Sequence, residues 1–378
     1  MSPETKVPSE SSGAETKSAR QLNDQLSSWT RHLVRRPGAP RGAERMVIAL
    51  LLAIAVFTVL SPQVFLSPIN LQNIAVAAPE IGIIAIAMML VMLTGGIDLS
   101  LVAIANFSAI TISTLHTAIA ANDANLANNL GIVLVLVGAA VGMLGGAVNG
   151  FLVSVVGITP ILATLATMQI YNGVAIVWTG GSTLYGAPEM LGAIGQAAVA
   201  NVPVLFIIFV AVAILVAVLV NRTALGRMIQ LEGANPVAAQ YSAIPRRRVL
   251  LKTYAIGGIL AGLAGVLFLA RNPTASADYG SSYVLLVIVI AVLGGTNPTG
   301  GFASVAGVVL ATLTLQVVSS GFTAIRLSSY EYAIAQGVIL IAVMIFDSVS
   351  SPRTTRRKKL DPSLRPGASP AEAPIPRP

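Results

Sequence analysis

No cysteine occurs in the 378 residues, and histidine occurs only at His32 and His116. Disulfides, cysteine-ligated zinc and iron–sulfur centres are therefore excluded, and two histidines are too few for a histidine-based metal centre. Charge is equally scarce: Asp, Glu, Lys and Arg make up 10% of the chain, where a soluble domain carries roughly 25%. No Gly-Lys dipeptide exists, so a Walker A phosphate loop is absent, and there is neither a nucleophile elbow nor an HExxH zinc motif. The chain is not expected to be an enzyme or to hold a cofactor or metal of its own. What it has instead is apolar mass, 55% hydrophobic residues and a mean hydropathy of +0.80, the composition of an integral membrane protein.

A net charge of +8 would suit nucleic acid if it coated a surface. Here all but Arg271 and Arg326 of the 23 Lys and Arg lie in the N-terminal tail, in a polar island at 221–252, or in the C-terminal tail. That is positive-inside asymmetry, which places all three in the cytoplasm beside anionic membrane lipid and leaves no role for nucleic acid. Residues 1–45, rich in Ser, Glu, Lys and Pro, read as a disordered tail. So do residues 348–378, where Arg356, Arg357, Lys358 and Lys359 precede a Pro-rich end. A secretory signal would place its apolar core far nearer the start than Met46, so the first apolar run is expected to remain as an uncleaved span.

Apolar runs suited to a bilayer of about 30 Å lie at 46–66, 71–93, 99–121, 130–156, 161–178 and 202–220, and after the island at 250–270, 283–293, 302–318 and 330–346. The run at 283–293 is short enough to be a broken or re-entrant helix packed within protein. Counting it gives six spans before the island and four after, which keeps both tails and the island on one side. The expectation is an all-α polytopic protein, with a membrane domain at 46–347 and both termini cytoplasmic. The outer loops then hold only two basic residues, Arg271 and Arg326. The longest, 180–201, has Gly and Pro breaks around a short helix and serves as a connector or a landing surface. Gly138, Gly142, Gly146 and Gly150, and likewise Gly258 and Gly262, recur every four residues, a spacing that lets helix backbones approach closely.

The island reads NRTALGRMIQLEGANPVAAQYSAIPRRRVLLK. Asn235 suits an N-cap, Pro236 a first helical position, and Pro245 forbids continuation, so a two-turn helix is expected at 237–244. Arg222, Arg227, Arg246, Arg247, Arg248 and Lys252 surround it, which makes it a contact surface for a soluble partner. In MLTGGIDLS (92–100), Gly95 and Gly96 break one helix while Asp98 or Ser100 can cap the next; a role in gating or partner contact is the alternative. Uncharged polar residues within the spans, Asn106, Asn149, Gln169, Asn172 and Gln316, can hydrogen-bond a sugar-like solute, and Tyr171 or Trp178 can stack on a ring. Interhelical hydrogen bonding is the competing account of each. Ionisable residues inside the runs are few, Glu80 and Asp98 being the notable ones, which weakens an ion-coupled carrier, and no charged pair is expected at mid-membrane to meet the charged ends of an amino acid.

Four stretches, MLTGGIDLS (92–100), GAVNGFLVSVVGITPILATLATMQIYNGVAIVWTGG (146–181), ALGRMIQLEGANPVAAQYSAI (224–244) and VLGGTNPTGGFAS (292–304), resemble the permease subunits of monosaccharide-type ABC importers, the ribose, xylose and simple-sugar group. The likeness runs in order over about 46–347. It implies a permease that pairs with a second copy or a close paralogue, two cytoplasmic subunits that bind the ATP, and an extracytoplasmic sugar-binding protein. It also implies that the island is a coupling loop, with Gly226, Arg227, Gly233, Asn235, Pro236, Ala238, Ala239, Ser242 and Ile244 matching the segment that meets the ATPase. Gly95, Gly96, Asp98 and Ser100 match its turn motif. The usual small residues after that motif are replaced by Leu101-Val102-Ala103-Ile104, and Glu80 stands where an uncharged residue is common. Permeases for a nucleoside or a branched-chain amino acid share the architecture and are the alternative cargo classes; an autonomous carrier or channel is the alternative of another kind. The expected location is the bacterial inner (plasma) membrane.

Overall fold

The computed structural model describes residues 41–328 together with Glu331, Ile334, Gly337, Val338 and Ile341. Residues 1–40 of the tail expected at 1–45 and the whole tail expected at 348–378 lie outside the described residues, as does all of the span expected at 330–346 apart from those five helical positions. Residues 41–45, expected in the first tail, are instead the opening of a helix.

The first half contains α1 (Arg41–Leu60), α2 (Pro62–Phe65), α3 (Pro68–Met92), α4 (Leu101–Ala120), α5 (Ala124–Asn129), α6 (Gly131–Phe151), α7 (Pro160–Thr179), α8 (Glu189–Gln196) and α9 (Val204–Arg222). The island forms α10 (Ala224–Ala234) and α11 (Pro236–Tyr241), and α12 (Arg246–Arg271), α13 (Tyr283–Leu293) and α14 (Val305–Ala324) come after it. Among the described residues eight helices are long and apolar enough to cross a bilayer: α1, α3, α4, α6 with a π turn at Leu152–Val156, α7, α9, α12 and α14. α13 has only 11 residues and packs on α3 and α14; its C-terminal end is enclosed, a Cβ on Gly294 lying 2.6 Å from the Val308 backbone nitrogen.

α12 occupies the centre, against α3, α4 and α6. Its approach to α6 explains the glycine spacing. Gly142 and Gly146 face Gly258 and Gly262, and a Cβ on Gly258 would strike the Gly142 carbonyl and lie 2.8 Å from the Gly146 Cα. Backbone therefore rests on backbone, a contact that any side chain would separate. The outer spans differ: α1, α6 and α9 expose aliphatic faces such as Ile48, Leu52, Leu136, Leu144, Ile214 and Leu215, as lipid contact requires.

At the end of the bundle away from the island, the 180–201 loop contains α8, as the spacing of its breaks implied. It ends in a hairpin of β2 (Ala198–Val199) with β3 (Val202–Pro203) just beyond it, whose two-residue turn has φ of 50° at Ala200 and 65° at Asn201. A second short pairing, β1 (Leu184–Tyr185) with β4 (Thr274–Ala275), ties this loop to the one after α12.

Candidate functional site

The island folds as two capped helices. Thr223 caps α10 by accepting from the Gly226 N–H at 3.1 Å, and Asn235 caps α11 by accepting from the Ala238 N–H at 3.0 Å, with Pro236 in the first turn. The second helix ends at Tyr241, not at Ile244 as expected. Ala243 takes a left-handed φ of 56°, its N–H donates to Gln240 O and that of Ile244 to Ala239 O, both at 3.1 Å. These two bonds satisfy the last carbonyls and turn the chain back before Pro245 acts. Ala239, matched to the partner-facing segment, is buried at 3% exposure, whereas Val237 is 63% and Tyr241 89% exposed, and Ser242 and Arg227 are exposed. The outward face is therefore Val237, Tyr241 and Ser242. Glu232 is held by Arg246 at 3.0 Å; burial raises its carboxyl above the usual range, and the guanidinium opposes that shift.

Gly233 closes α10 where no side chain fits. A Cβ there would strike the Leu93 carbonyl and lie 2.6 Å from the Gly301 N–H nitrogen, which itself donates to Leu93 O at 2.9 Å. Gly95 (φ 79°), Gly300 (φ 94°) and Gly301 (φ 86°) form the turns that reach this point. Three of the four stretches quoted from the sequence thus meet backbone to backbone.

The fourth joins through side chains. Asp98, fully buried, accepts from the Ser100 N–H at 2.9 Å and the Ser100 hydroxyl at 2.6 Å. This is a local turn closed by a carboxylate; the Ser100 side chain makes no capping bond to α4, so the expected N-cap role is not what the motif performs. From α6, the Asn149 amide donates to both Asp98 oxygens at 3.3 Å and to Ser100 Oγ at 2.7 Å. From α7, the Thr167 hydroxyl donates to Asn149 Oδ1 at 2.6 Å, and Thr164 Oγ1 accepts from the Leu99 N–H at 3.1 Å. Burial pushes the Asp98 carboxyl upward, and its bonds from Ser100 and Asn149 resist this. Gly96 is confined too: a Cβ would come within 2.6 Å of the buried Tyr254 hydroxyl of α12. Thr164, Thr167 and Tyr254 were not singled out from the sequence. The two threonines three residues apart on one face of an apolar span were the signal available.

The expected solute-path residues divide. Asn149 belongs to this knot. Asn106 donates to Ala277 O and Tyr279 O, both at 2.8 Å, and so pins the loop after α12. Tyr171 donates to Gly145 O at 3.0 Å while its ring lies over Phe107, 6.5 Å between centroids and 22° between planes. Trp178 packs on the same Phe107. On the outer face of α7, Gln169 is exposed and Asn172 half-buried. Gln316 is half-buried on α14, which packs on α1, α3, α9 and α13.

One expectation is overturned. Glu80, with no exposure in the middle of α3, meets Arg271 Nη1 at 2.9 Å and the Tyr279 hydroxyl at 3.3 Å. A charged pair therefore exists within the bundle. It escaped sequence reasoning because 191 positions separate its members.

The family model for the permease component of branched-chain amino acid transport systems matches residues 70–346. This chain belongs to that permease family. The permease is 30% identical to the ribose import permease protein of Bacillus subtilis (strain 168) over 306 residues, 80% of this chain and 92% of the relative. It is 32% identical to the D-allose transport system permease protein of Escherichia coli (strain K12) over 302 residues, 80% and 90% respectively. It is 31% identical to the autoinducer 2 import system permease protein of Yersinia enterocolitica over 279 residues, 72% and 82%. No solved structure matches the permease.

Proposed function

We propose that this permease carries a monosaccharide or related polyol across the bacterial inner membrane by alternating access, driven by separate ATPase subunits. The observation that carries the reading is the outer face of α7. An exposed Gln169 amide and a half-buried Asn172 sit in a spanning helix, and an amide facing lipid leaves its hydrogen bonds unmade at a cost of several kcal/mol. The exposed aliphatic faces of α1, α6 and α9 carry no such penalty. A second copy of this chain, or a close paralogue, covers the α7 face, and the solute path runs between the two. Uncharged amides suit hydroxyl groups, while Glu80 and Arg271 neutralise one another, so that pair offers no free charge to an amino acid's ends. The relatives that import ribose and allose support the sugar class.

On the cytoplasmic side Val237, Tyr241 and Ser242 dock on the ATPase, and an extracytoplasmic binding protein delivers the sugar to the 180–201 loop. Both termini are cytoplasmic and the spans number ten, with α13 counted and the tenth at 330–346. The test is uptake of radiolabelled D-ribose, D-allose and D-xylose into proteoliposomes holding the permease, its ATPase and its binding protein. ATP-dependent accumulation of one of these is expected. Full-rate sugar movement without the ATPase would overturn the proposal, and so would leucine being the only solute accumulated.

A further inference from the structure

Helix α7 is attached to the rest of the fold in an unusual way. Only Ala163, Thr164, Thr167 and Ala175 of its twenty residues are buried, and two of these are the threonines of the polar knot. The link behind it is built to bend. α6 ends in the π turn Leu152–Val156, and Gly157 comes next at φ 85° with open space around it. Such widened turns interrupt the regular ladder and lower the cost of reorienting the adjoining helix. At its island end α7 is held by the hydrogen bonds of Thr164 and Thr167 together with one apolar contact, that of Ala163 in a cluster with Val91, Val153, Leu250 and Tyr254. Those bonds lead to the Leu93–Ser100 turn, and Leu93 O is the atom against which Gly233 rests.

We infer that Asp98, Asn149 and Thr167 form the link that delivers displacement of the coupling segment to α7, with Gly233 as the bearing point on the turn. A push on α10 reaches Leu93 without an intervening flexible side chain. It passes to Asp98 within the same turn, through the Asn149 amide, and to α7 at Thr167. Asn149 serves by accepting from one partner while donating to two, so the three elements shift as a unit. α9 is tied to the island more directly, since Gln230 Nε2 donates to Val220 O at 3.0 Å, so α9 and α7 are joined to the coupling segment by different routes. This inference rests on the coupling role assigned to the island above.

The test uses the complete transporter in lipid, with spin labels introduced by Gly173→Cys on α7 and Leu215→Cys on α9; the absence of native cysteine from this chain leaves no competing site in the permease, which is labelled before its partners are added. Trapping with MgADP and vanadate is expected to shift the label distance. With Thr167→Val, which keeps the shape and removes the hydroxyl, the shifted population should fall about tenfold, the ratio set by one buried acceptor left unpaired. Thr167→Ser should restore it, and vanadate trapping and ATPase co-purification should remain at the level of the unsubstituted protein. An undiminished shift in Thr167→Val, no shift in the parent, or loss of ATPase association together with the shift would each overturn the link. Tyr241→Asp separates the underlying assumption: if its ATPase association and label shift are unchanged, the coupling role of the island fails, whatever Thr167 does.

Discussion

The Glu80–Arg271 pair allows a prediction in which the two halves of one ion pair behave differently. Glu80 is completely enclosed, whereas the Arg271 side chain keeps 34% of its exposure at the end of α12. Replacing Arg271 with Leu strands a carboxylate that cannot reach water and retains only the 3.3 Å contacts to the Tyr279 hydroxyl. Breaking a buried pair from one side costs about 3–5 kcal/mol, and the Tyr279 contacts place this case near the lower figure. Glu80→Gln keeps an oxygen within reach of the guanidinium, and Arg271 can turn its charge to solvent. Its cost is that of weakening one hydrogen bond, about 1 kcal/mol. The double variant Glu80→Gln/Arg271→Leu buries no charge and should be more stable than Arg271→Leu alone by about 2 kcal/mol, since contacting sites are not additive. The assay is thermal unfolding in detergent, monitored by fluorescence-detected size exclusion. If Glu80→Gln unfolds at as low a temperature as Arg271→Leu, or the double variant lies below both, the assignment of Glu80 as the buried, dependent member is wrong.

Three more outcomes are expected from packing and titration. Gly258→Leu drives a side chain into the α6 backbone, and overpacking at such a crossing costs about 1–3 kcal/mol or more; a lowered melting temperature checks it, while Gly192→Ala on α8, at a site with open space, should be neutral. Thr164→Val removes the acceptor of the Leu99 N–H and should destabilise by about 1–3 kcal/mol, with Thr164→Ser restoring stability in the same melt. For Glu232 the folded state holds the proton more tightly than the unfolded chain. Its contribution is therefore present in full below about 4.5, the ordinary carboxyl value, and lost as pH rises through the raised one. Glu232→Gln should flatten the pH dependence of stability above pH 4.5, and an unchanged slope would contradict the burial of this carboxyl.

Much of the permease is legible in its sequence because the bilayer restricts what a chain can do. About twenty apolar residues in a row must be helical, since no water is there to satisfy an open backbone. Asn235 and Pro236 mark a helix start through bonds that span three residues, so local order alone reveals it. α11 stops three residues short of the expected end because Ala243 adopts a left-handed conformation that nothing in an alanine announces. The glycine spacing on α6 and α12 predicted close contact without saying that these two helices would meet each other.

What only the tertiary structure decided is which polar groups find one another. Asp98 read alone is a cap; it becomes a knot because Asn149 and Thr167 arrive from two other helices. Glu80 read alone is an isolated acid, and its partner comes 191 residues later. Ala239 and Tyr241 stand two positions apart in the same short helix, yet one is buried and the other exposed, because α11 turns one side to the protein. Hydropathy and capping act over a few residues and are written along the chain. Long-range hydrogen bonds and ion pairs depend on which helices become neighbours, and that is set by packing around α12.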